Sequence, residues 1–151
     1  MLVRCLYASR AAGSLTGPTI ESILDQSRRN NPRLGITGML CYFDDIFIQV
    51  IEGGRDEVCE LFNALVRDER HKDVRILTYD EIGERRFGGW TMGAVNMARV
   101  NPSMLLKYSE KPVLNPFAAS GRATMALLDD LVAAALVVSQ GSEKGRGSAG
   151  D

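Results

Sequence analysis

The stretch ITGMLCYFDDIFIQVIE, residues 36–52, decides the fold. Ile36 to Phe43 and Ile46 to Glu52 are rich in β-branched, aromatic and other apolar residues, and Asp44-Asp45 alone separates them. Two short polar residues between two apolar runs are typical of a tight antiparallel hairpin. The sequence therefore predicts two adjacent, mostly buried strands at this point.

Further elements are predicted on both sides of this hairpin. Before it, Leu2 to Ser9 has the composition of a strand, and apolar residues recur at helical spacing from Pro18 until Pro32 ends the pattern. After it, the predicted elements are a helix from about Arg55 to Asp68, a strand from Val74 to Tyr79 and a short strand within Phe87 to Met97. This order predicts an α+β, ferredoxin-like fold with an antiparallel or mixed sheet and both helices on one face.

The second face of this sheet also needs a cover, because the inner strands are apolar on both sides. The apolar stretch Thr124 to Val138 predicts a helix there, after a proline-punctuated connection from Asn101 to Pro116. We therefore expect one domain at residues 1–98 and a C-terminal helical extension at 99–139 on the other face. Residues 140–151 are glycine, serine and charge, which predicts a disordered tail.

Composition narrows the classes of function. The 18 basic and 19 acidic side chains nearly cancel, so no broad field favours nucleic acid or an anionic membrane. Cys5, Cys41 and Cys59 lack metal-ligand spacing and predict reduced thiols in a cytoplasmic protein. No apolar run approaches the length of a membrane span. No nucleophile with a base, paired carboxylates or metal ligands stand out, so we expect a protein that is not an enzyme.

Polar side chains occur where the core should be apolar. Gln49 is the sole neutral amide in its strand, and burying it without a partner costs about 1–3 kcal/mol. The first and third strands of a ferredoxin-like sheet are neighbours, so the Tyr7 hydroxyl can meet the Gln49 amide. Either residue alone is better explained as a core residue with a satisfied polar end.

The first predicted helix adds two more amides to this region. Its inward stripe of Ile20, Ile23, Leu24 and Ser27 continues at the same spacing into Asn30 and Asn31. A C-terminal helix cap would explain one of the two asparagines. Together with Tyr7 and Gln49 they outline a slot closed by neutral groups that both donate and accept, which suits a flat heterocycle such as an isoalloxazine ring.

Several segments, taken in order, resemble the BLUF domains, bacterial blue-light sensors that use flavin. They are CLYAS at residues 5–9, SRRNNPRLGITGMLCY at 27–42, FIQVIEG at 47–53, VRDERH at 66–71 and RRFGGWTM at 85–92. The resemblance runs from about Leu2 to Met97. It implies that FAD is the cofactor, with FMN and riboflavin as alternatives, and that flavin excitation takes an electron and a proton from Tyr7 while Gln49 rearranges its hydrogen bonds.

The resemblance also implies roles for the remaining site residues. Ser27, Asn30 and Asn31 match residues at the flavin edge, with Asn31 bonding the carbonyl nearest Gln49. Asp68, Arg70 and His71 match a patch near the ribityl chain and phosphates, with Arg29 as a further candidate and a solvated position as the alternative for His71. Trp90 and Met92, two apart and therefore expected on one strand face, match the pair that competes for a place near Gln49.

The output implied by the resemblance is a signal to a separate protein. Short BLUF proteins regulate cyclic-dinucleotide phosphodiesterases or response-regulator-like partners, and they form homo-oligomers. The apolar C-terminal helix would then be a transmission surface, a cover for the sheet, or both. Two alternatives stay open: a flavin-independent ferredoxin-like interaction module, and a flavin oxidoreductase, for which the enclosed ring leaves little room for a substrate.

Overall fold

A computed structural model describes residues 1–13, 15–134 and 136–137 of the chain. The strands in these ranges are β1 (Leu2–Ala11), β2 (Thr37–Phe43), β3 (Ile46–Gly54), β4 (His71–Ile82) and β5 (Gly93–Asn96). The helices are α1 (Gly17–Leu34), α2 (Arg55–Arg67), α3 (Pro102–Tyr108) and α4 (Gly121–Ala133), with a short 3₁₀ helix at Met97–Arg99. The predicted α+β order of strands and helices is confirmed.

One mixed sheet joins the strands in the order β4-β1-β3-β2-β5. Every neighbouring pair is antiparallel except β2 and β5, which are parallel. β3 lies at the centre, and residues 46–53 are buried along its length, because layers of side chains cover both faces. Asp44 makes the tight β2–β3 turn with a φ of 53°, a left-handed conformation that Asp tolerates. The predicted hairpin and the predicted adjacency of β1 and β3 are both confirmed.

Helices cover the two faces of the sheet in pairs. α1 and α2 pack on the face that carries Val3, Tyr7 and Ile51, with Ile23 of α1 and Val58 of α2 buried against it. α3 and α4 pack on the other face, where the buried residues include Leu6, Ile48, Leu105, Leu128 and Leu131. The predicted cover of the second face by C-terminal helices is confirmed.

Several element boundaries differ from those predicted. α1 continues through Pro32 to Leu34, because Gly35, with a φ of 67°, supplies the left-handed cap that ends it. β4 is longer than predicted, because it pairs with β1 from Ala11↔His71 to Leu2↔Ile82. The connection from Asn101 contains a helix, since the Asn101 side chain caps α3 at Ser103. The fifth strand is only four residues long, Gly93–Asn96.

The C-terminal end of the described chain also departs from expectation. α4 begins three residues earlier than Thr124, because the Ser120 hydroxyl caps it by accepting the Ala123 N–H at 3.0 Å. It ends at Ala133, whereas the predicted helix ran to Val138. The predicted tail at 140–151 lies outside the described residues.

Candidate functional site

Tyr7 and Gln49 lie directly opposite each other at the middle of the sheet. The β1–β3 register pairs Tyr7 with Gln49, and both side chains point toward α1 and α2. The Tyr7 hydroxyl donates a hydrogen bond to Gln49 Oε1. Tyr7 is 2% exposed and Gln49 is 9% exposed, so water competes little for this bond. The amide that the sequence marked as needing a partner therefore has one.

The environment of Tyr7 keeps its phenol protonated. Burial raises the pKa of Tyr7 well above its ordinary value, and the neighbouring Cys5 thiol adds a smaller effect in the same direction. The Phe62 ring of α2 packs edge-on against the Tyr7 ring, with 5.5 Å between centroids. Tyr7 is thus a fixed, neutral hydrogen-bond donor at any ordinary pH, and it can lose its proton only if the phenol itself becomes more acidic.

The other end of the Gln49 amide meets Met92. Gln49 Nε2 donates to the Met92 sulfur at 3.5 Å, and Met92 is 1% exposed. A thioether is a weak acceptor, so this contact holds the amide less firmly than an oxygen would. Gln49 therefore accepts a strong hydrogen bond from Tyr7 at its oxygen and donates a weak one to Met92 from its nitrogen. The amide is held firmly by Tyr7, whereas its contact with Met92 can be exchanged for another partner.

The backbone beside Met92 is fastened to α1. Asn31 Nδ2 donates to the Thr91 carbonyl at 2.7 Å, and Arg28 Nε donates to the Met92 carbonyl at 3.2 Å. Asn31 is 1% exposed and does not act as the helix cap, a role that Gly35 fills. The side chain of Asn31 thus ties the cavity to the segment before β5. Arg28 escaped the sequence prediction, although it is adjacent to the predicted Ser27.

The prediction that Trp90 and Met92 share one strand face is wrong. β5 begins at Gly93, so the alternation of a strand does not extend back to these two residues. Met92 belongs to the core on the α1–α2 face. Trp90 packs with the core on the opposite face and stacks on Phe87, with 6.3 Å between ring centroids. Only Met92 of the pair contacts Gln49 in this structure.

A cavity of about 220 Å³ opens between α1 and α2 above Tyr7 and Gln49. Its lining is Tyr7, Ile23, Gln26, Ser27, Asn30, Asn31, Leu40, Gln49, Leu61, Ala64, Leu65, Asp68, Arg70 and His71. Eight of the predicted site residues are therefore brought together here. The lining does not include Arg29, which is exposed on α1 in the described part of the chain. Arg29 lies off the inward stripe of the helix, and its place near the ribityl chain and phosphates stays a prediction.

Charged groups lie at the outer end of this cavity. Arg70 forms an ion pair with Asp68 at 2.7 Å, and its guanidinium also donates to Gln26 Oε1 at 3.0 Å. Hydrogen bonding from Arg70 lowers the pKa of Asp68, so the carboxylate stays ionised. Gln26 was missed from the sequence, although its position three residues after Ile23 places it near the inward stripe. Asn30 is also at this rim, where its Oδ1 accepts from Arg33 at 2.8 Å.

His71 is packed into the cavity wall and is not a solvated residue. Its Nδ1 lies 3.1 Å from the Ser9 hydroxyl, and its ring centroid is 4.9 Å from that of Phe47. Burial lowers the pKa of His71, against an opposing effect of Asp68. The neutral imidazole is therefore the form that the folded protein favours.

Acidification through the range in which free histidine titrates should weaken the fold through His71. The unfolded chain takes up a proton near pH 6.5, while the folded chain resists it, so the stabilisation present above that pH is lost as the pH falls. We expect the free energy of unfolding to drop between pH 7.5 and 5.5, and to drop less in His71→Gln. Denaturant titrations at both pH values measure the difference. An equal drop in the wild type and in His71→Gln would show that His71 is not the source of this pH dependence.

The lining groups fit a flavin. Neutral donors and acceptors, Tyr7, Gln49 and Asn31, lie at the inner end, where a ring edge of carbonyls and nitrogens needs both kinds of partner. Apolar side chains such as Ile23 and Leu65 line the walls, and the Asp68–Arg70 pair lies at the mouth, where a polar chain would leave. The arrangement therefore offers a flat apolar slot with a polar edge and a charged exit.

No group of three or more His, Cys, Asp or Glu is placed to hold a metal ion within residues 1–13, 15–134 and 136–137. Across the same part of the chain, no helix has both the length and the apolar character needed to cross a membrane.

Comparison with known proteins identifies this combination of fold and cavity. The model of the family "BLUF: Sensors of blue-light using FAD" matches residues 2–93. The structure of BlrB, a BLUF protein in the dark state, superposes with a TM-score of 0.72 at 34% identity, over 89% of this chain and 97% of that one. The chain is also 32% identical over 92 residues, 60% of its length, to the photoactivated adenylate cyclase subunit beta of Euglena longa, of which it spans 11%.

A third relative bears on the cofactor. Klebsiella pneumoniae BlrP1, solved with FMN and cyclic diGMP, superposes with a TM-score of 0.64 at 29% identity, over 71% of this chain and 29% of that one. The family description names FAD, which confirms the predicted flavin cofactor. The family match covers more than half of the chain and the whole cavity. The chain belongs to the BLUF family, the sensors of blue light that use FAD.

Proposed function

We propose that this protein is a blue-light photoreceptor in which Tyr7 and Gln49 form the light-driven switch. The observation that carries the proposal is the buried series of contacts from the Tyr7 hydroxyl through the Gln49 amide to the Met92 sulfur. Each of these groups lies on the face of the sheet that also forms the floor of the cavity.

The switch follows from the chemistry of the residues. Bound flavin supplies, on absorbing blue light, an oxidant strong enough to take an electron from a phenol. A phenol that has lost an electron becomes strongly acidic, and the Tyr7 proton then has Gln49 Oε1 as its nearest acceptor. When Tyr7 regains its electron and proton, the Gln49 amide can be left rotated or tautomerised, because its other partner, the Met92 thioether, holds it weakly. Nothing is consumed in this cycle.

The other cavity residues have binding and positioning roles in the proposal. Asn31 and Asn30 bond the polar edge of the flavin ring, and Ser27 lies on the same inward side of α1. Asp68, Arg70 and His71 hold the polar chain at the mouth, where the Arg70 charge is already partly balanced by Asp68. FAD is the cofactor proposed for the cell, with FMN and riboflavin as the alternatives.

The output of the proposed photoreceptor is protein contact and not turnover. Residues 1–98 act as the sensor, and the helical extension at 99–139 passes the change to a separate signalling protein or to a second copy of the chain. A cyclic-dinucleotide phosphodiesterase or a response-regulator-like protein is the partner class we propose, in the cytoplasm. Support comes from the packing of α3 and α4 directly on the sheet face behind the switch.

The decisive experiment is spectroscopic. Protein purified with added FAD should be yellow and should show a reversible red shift of its absorption under blue light. In Gln49→Ala the flavin should still bind, but the red shift should be absent, because no amide remains to rearrange. Gln26→Ala is the matched control, since it removes the same amide from the rim of the cavity and should leave the shift intact. A colourless protein after flavin addition would refute the proposal.

A further inference from the structure

Glu52 is a fully buried carboxylate on the face of the sheet opposite the flavin cavity. It is 0% exposed and lies three residues after Gln49 on β3. Arg4, directly across on β1, donates to it at 2.7–2.8 Å and is itself 12% exposed. Burying a charge is costly unless it is paired and hydrogen-bonded, so a carboxylate kept at this position needs specific partners.

The remaining partners of Glu52 are backbone groups of the connection between β4 and β5. The N–H groups of Arg86 and Phe87 donate to its two oxygens at 2.7–3.1 Å. Phe87 is 1% exposed, so this part of the connection is fixed in the core. The carboxylate therefore fastens the connection to the same strand that carries Gln49.

The far end of this connection reaches the switch itself. Trp90 accepts at its carbonyl from Gly38 N–H of β2 at 3.1 Å, and Met92 ends the connection against Gln49 at 3.5 Å. The connection is thus held at its start by Glu52 and meets Gln49 at its end. A change in the Gln49 amide would therefore reach this segment at two places, directly at Met92 and, through β3 and Glu52, at Arg86.

Arg86 links this segment to the C-terminal helix. Its backbone N–H is held by Glu52, while its side chain pairs with Asp129 of α4 at 3.0 Å. Both side chains of the pair are 45% exposed, so the pair adds little to stability. What it supplies is a direct contact between a segment that touches the switch and the helix that covers the back of the sheet.

From these contacts we propose that Glu52 and Arg86 are positioning residues that pass the light-driven change at Gln49 to α4 through Asp129. The proposal rests on the Tyr7–Gln49 switch and adds its route of output. Glu52 couples the backbone of Arg86 to β3, the strand that carries Gln49, and the Arg86–Asp129 pair passes a displacement of that strand to the helix.

Hydrogen exchange of the full-length, flavin-loaded protein tests the route in light and in darkness. In the wild type, illumination should change the exchange of amides in residues 121–133. In Arg86→Gln the absorption shift should remain, while the light-minus-dark difference in α4 should fall by about threefold or more, because one coupling contact is gone. The pair of changes Arg86→Asp and Asp129→Arg should restore the difference, which a purely structural role would not predict.

A matched control comes from a second ion pair of α4. Lys107→Gln removes the Lys107–Asp130 pair, which joins α3 to α4 at 3.1 Å and does not involve the connection. It should leave the light-minus-dark difference unchanged. An unchanged difference in Arg86→Gln, or a wild-type red shift with no change at all in α4, would overturn the proposal.

The dark measurement separates this route from the switch on which it rests. In Glu52→Gln kept in darkness, the amides of Arg86 and Phe87 should exchange about tenfold faster, because their charged acceptor is lost. Unaltered exchange at both amides would refute the role of Glu52 in holding Arg86 and Phe87. This result does not depend on whether the wild type or the variant responds to light. Absence of the red shift in the wild type would instead refute the switch.

Discussion

Tyr7→Phe should bind flavin and show no light-induced red shift. The substitution keeps the ring that packs against Phe62 and removes only the hydroxyl that donates to Gln49 Oε1. Without that group the side chain has no proton to give up, and phenylalanine is much harder to oxidise than a phenol. Absorption spectra before and after blue illumination measure the effect, which we expect to be complete loss of the shift.

Tyr42→Phe is the control for this prediction. Tyr42 is a half-buried phenol that packs on the same face of the sheet, on β2, and its loss should leave the red shift unchanged. Tyr7→Phe should also lower the free energy of unfolding by about 1–3 kcal/mol, because Gln49 Oε1 is left buried without its donor. A normal red shift in Tyr7→Phe would show that another residue supplies the electron and proton.

The sheet and the Tyr7–Gln49 pairing followed from local features of the sequence. A two-residue turn between two apolar runs defines the β2–β3 hairpin, and the order of strands and helices then makes β1 and β3 neighbours. Gln49 was identifiable because a lone amide in a buried strand needs a partner, and the register supplied Tyr7. These inferences required only periodicity, turn chemistry and the cost of a buried polar group.

The features that escaped prediction depend on contacts between distant segments. Pro32 lies within α1, because the cap at Gly35 decides where the helix ends. The proline costs the helix one backbone N–H donor but does not end it. Trp90 and Met92 separate to opposite faces, because the backbone before β5 is held by Gly38, Asn31 and Arg28 and not by strand pairing. Spacing along the chain carries no information about such contacts.

Arg4→Met should lower the free energy of unfolding by about 3–5 kcal/mol, the range found when one partner of a buried ion pair is removed. Glu52 would keep its two backbone donors but lose the charge that balances it, while remaining 0% exposed. Methionine approximates the length of the arginine stem, so lost packing contributes little. Denaturant unfolding at pH 7 measures the change.

Arg55→Met is the matched control, because Arg55 pairs with Glu81 at 2.9 Å on the surface, with both side chains more than half exposed. Its loss should change stability by less than about 1 kcal/mol, since exposed pairs contribute little. Adding Glu52→Leu to Arg4→Met should recover part of the loss by removing the unbalanced charge. Recovery should be incomplete, because the Arg86 and Phe87 N–H groups would then lack their acceptor. Equal losses in Arg4→Met and Arg55→Met would show that the buried charge has a source of balance other than Arg4.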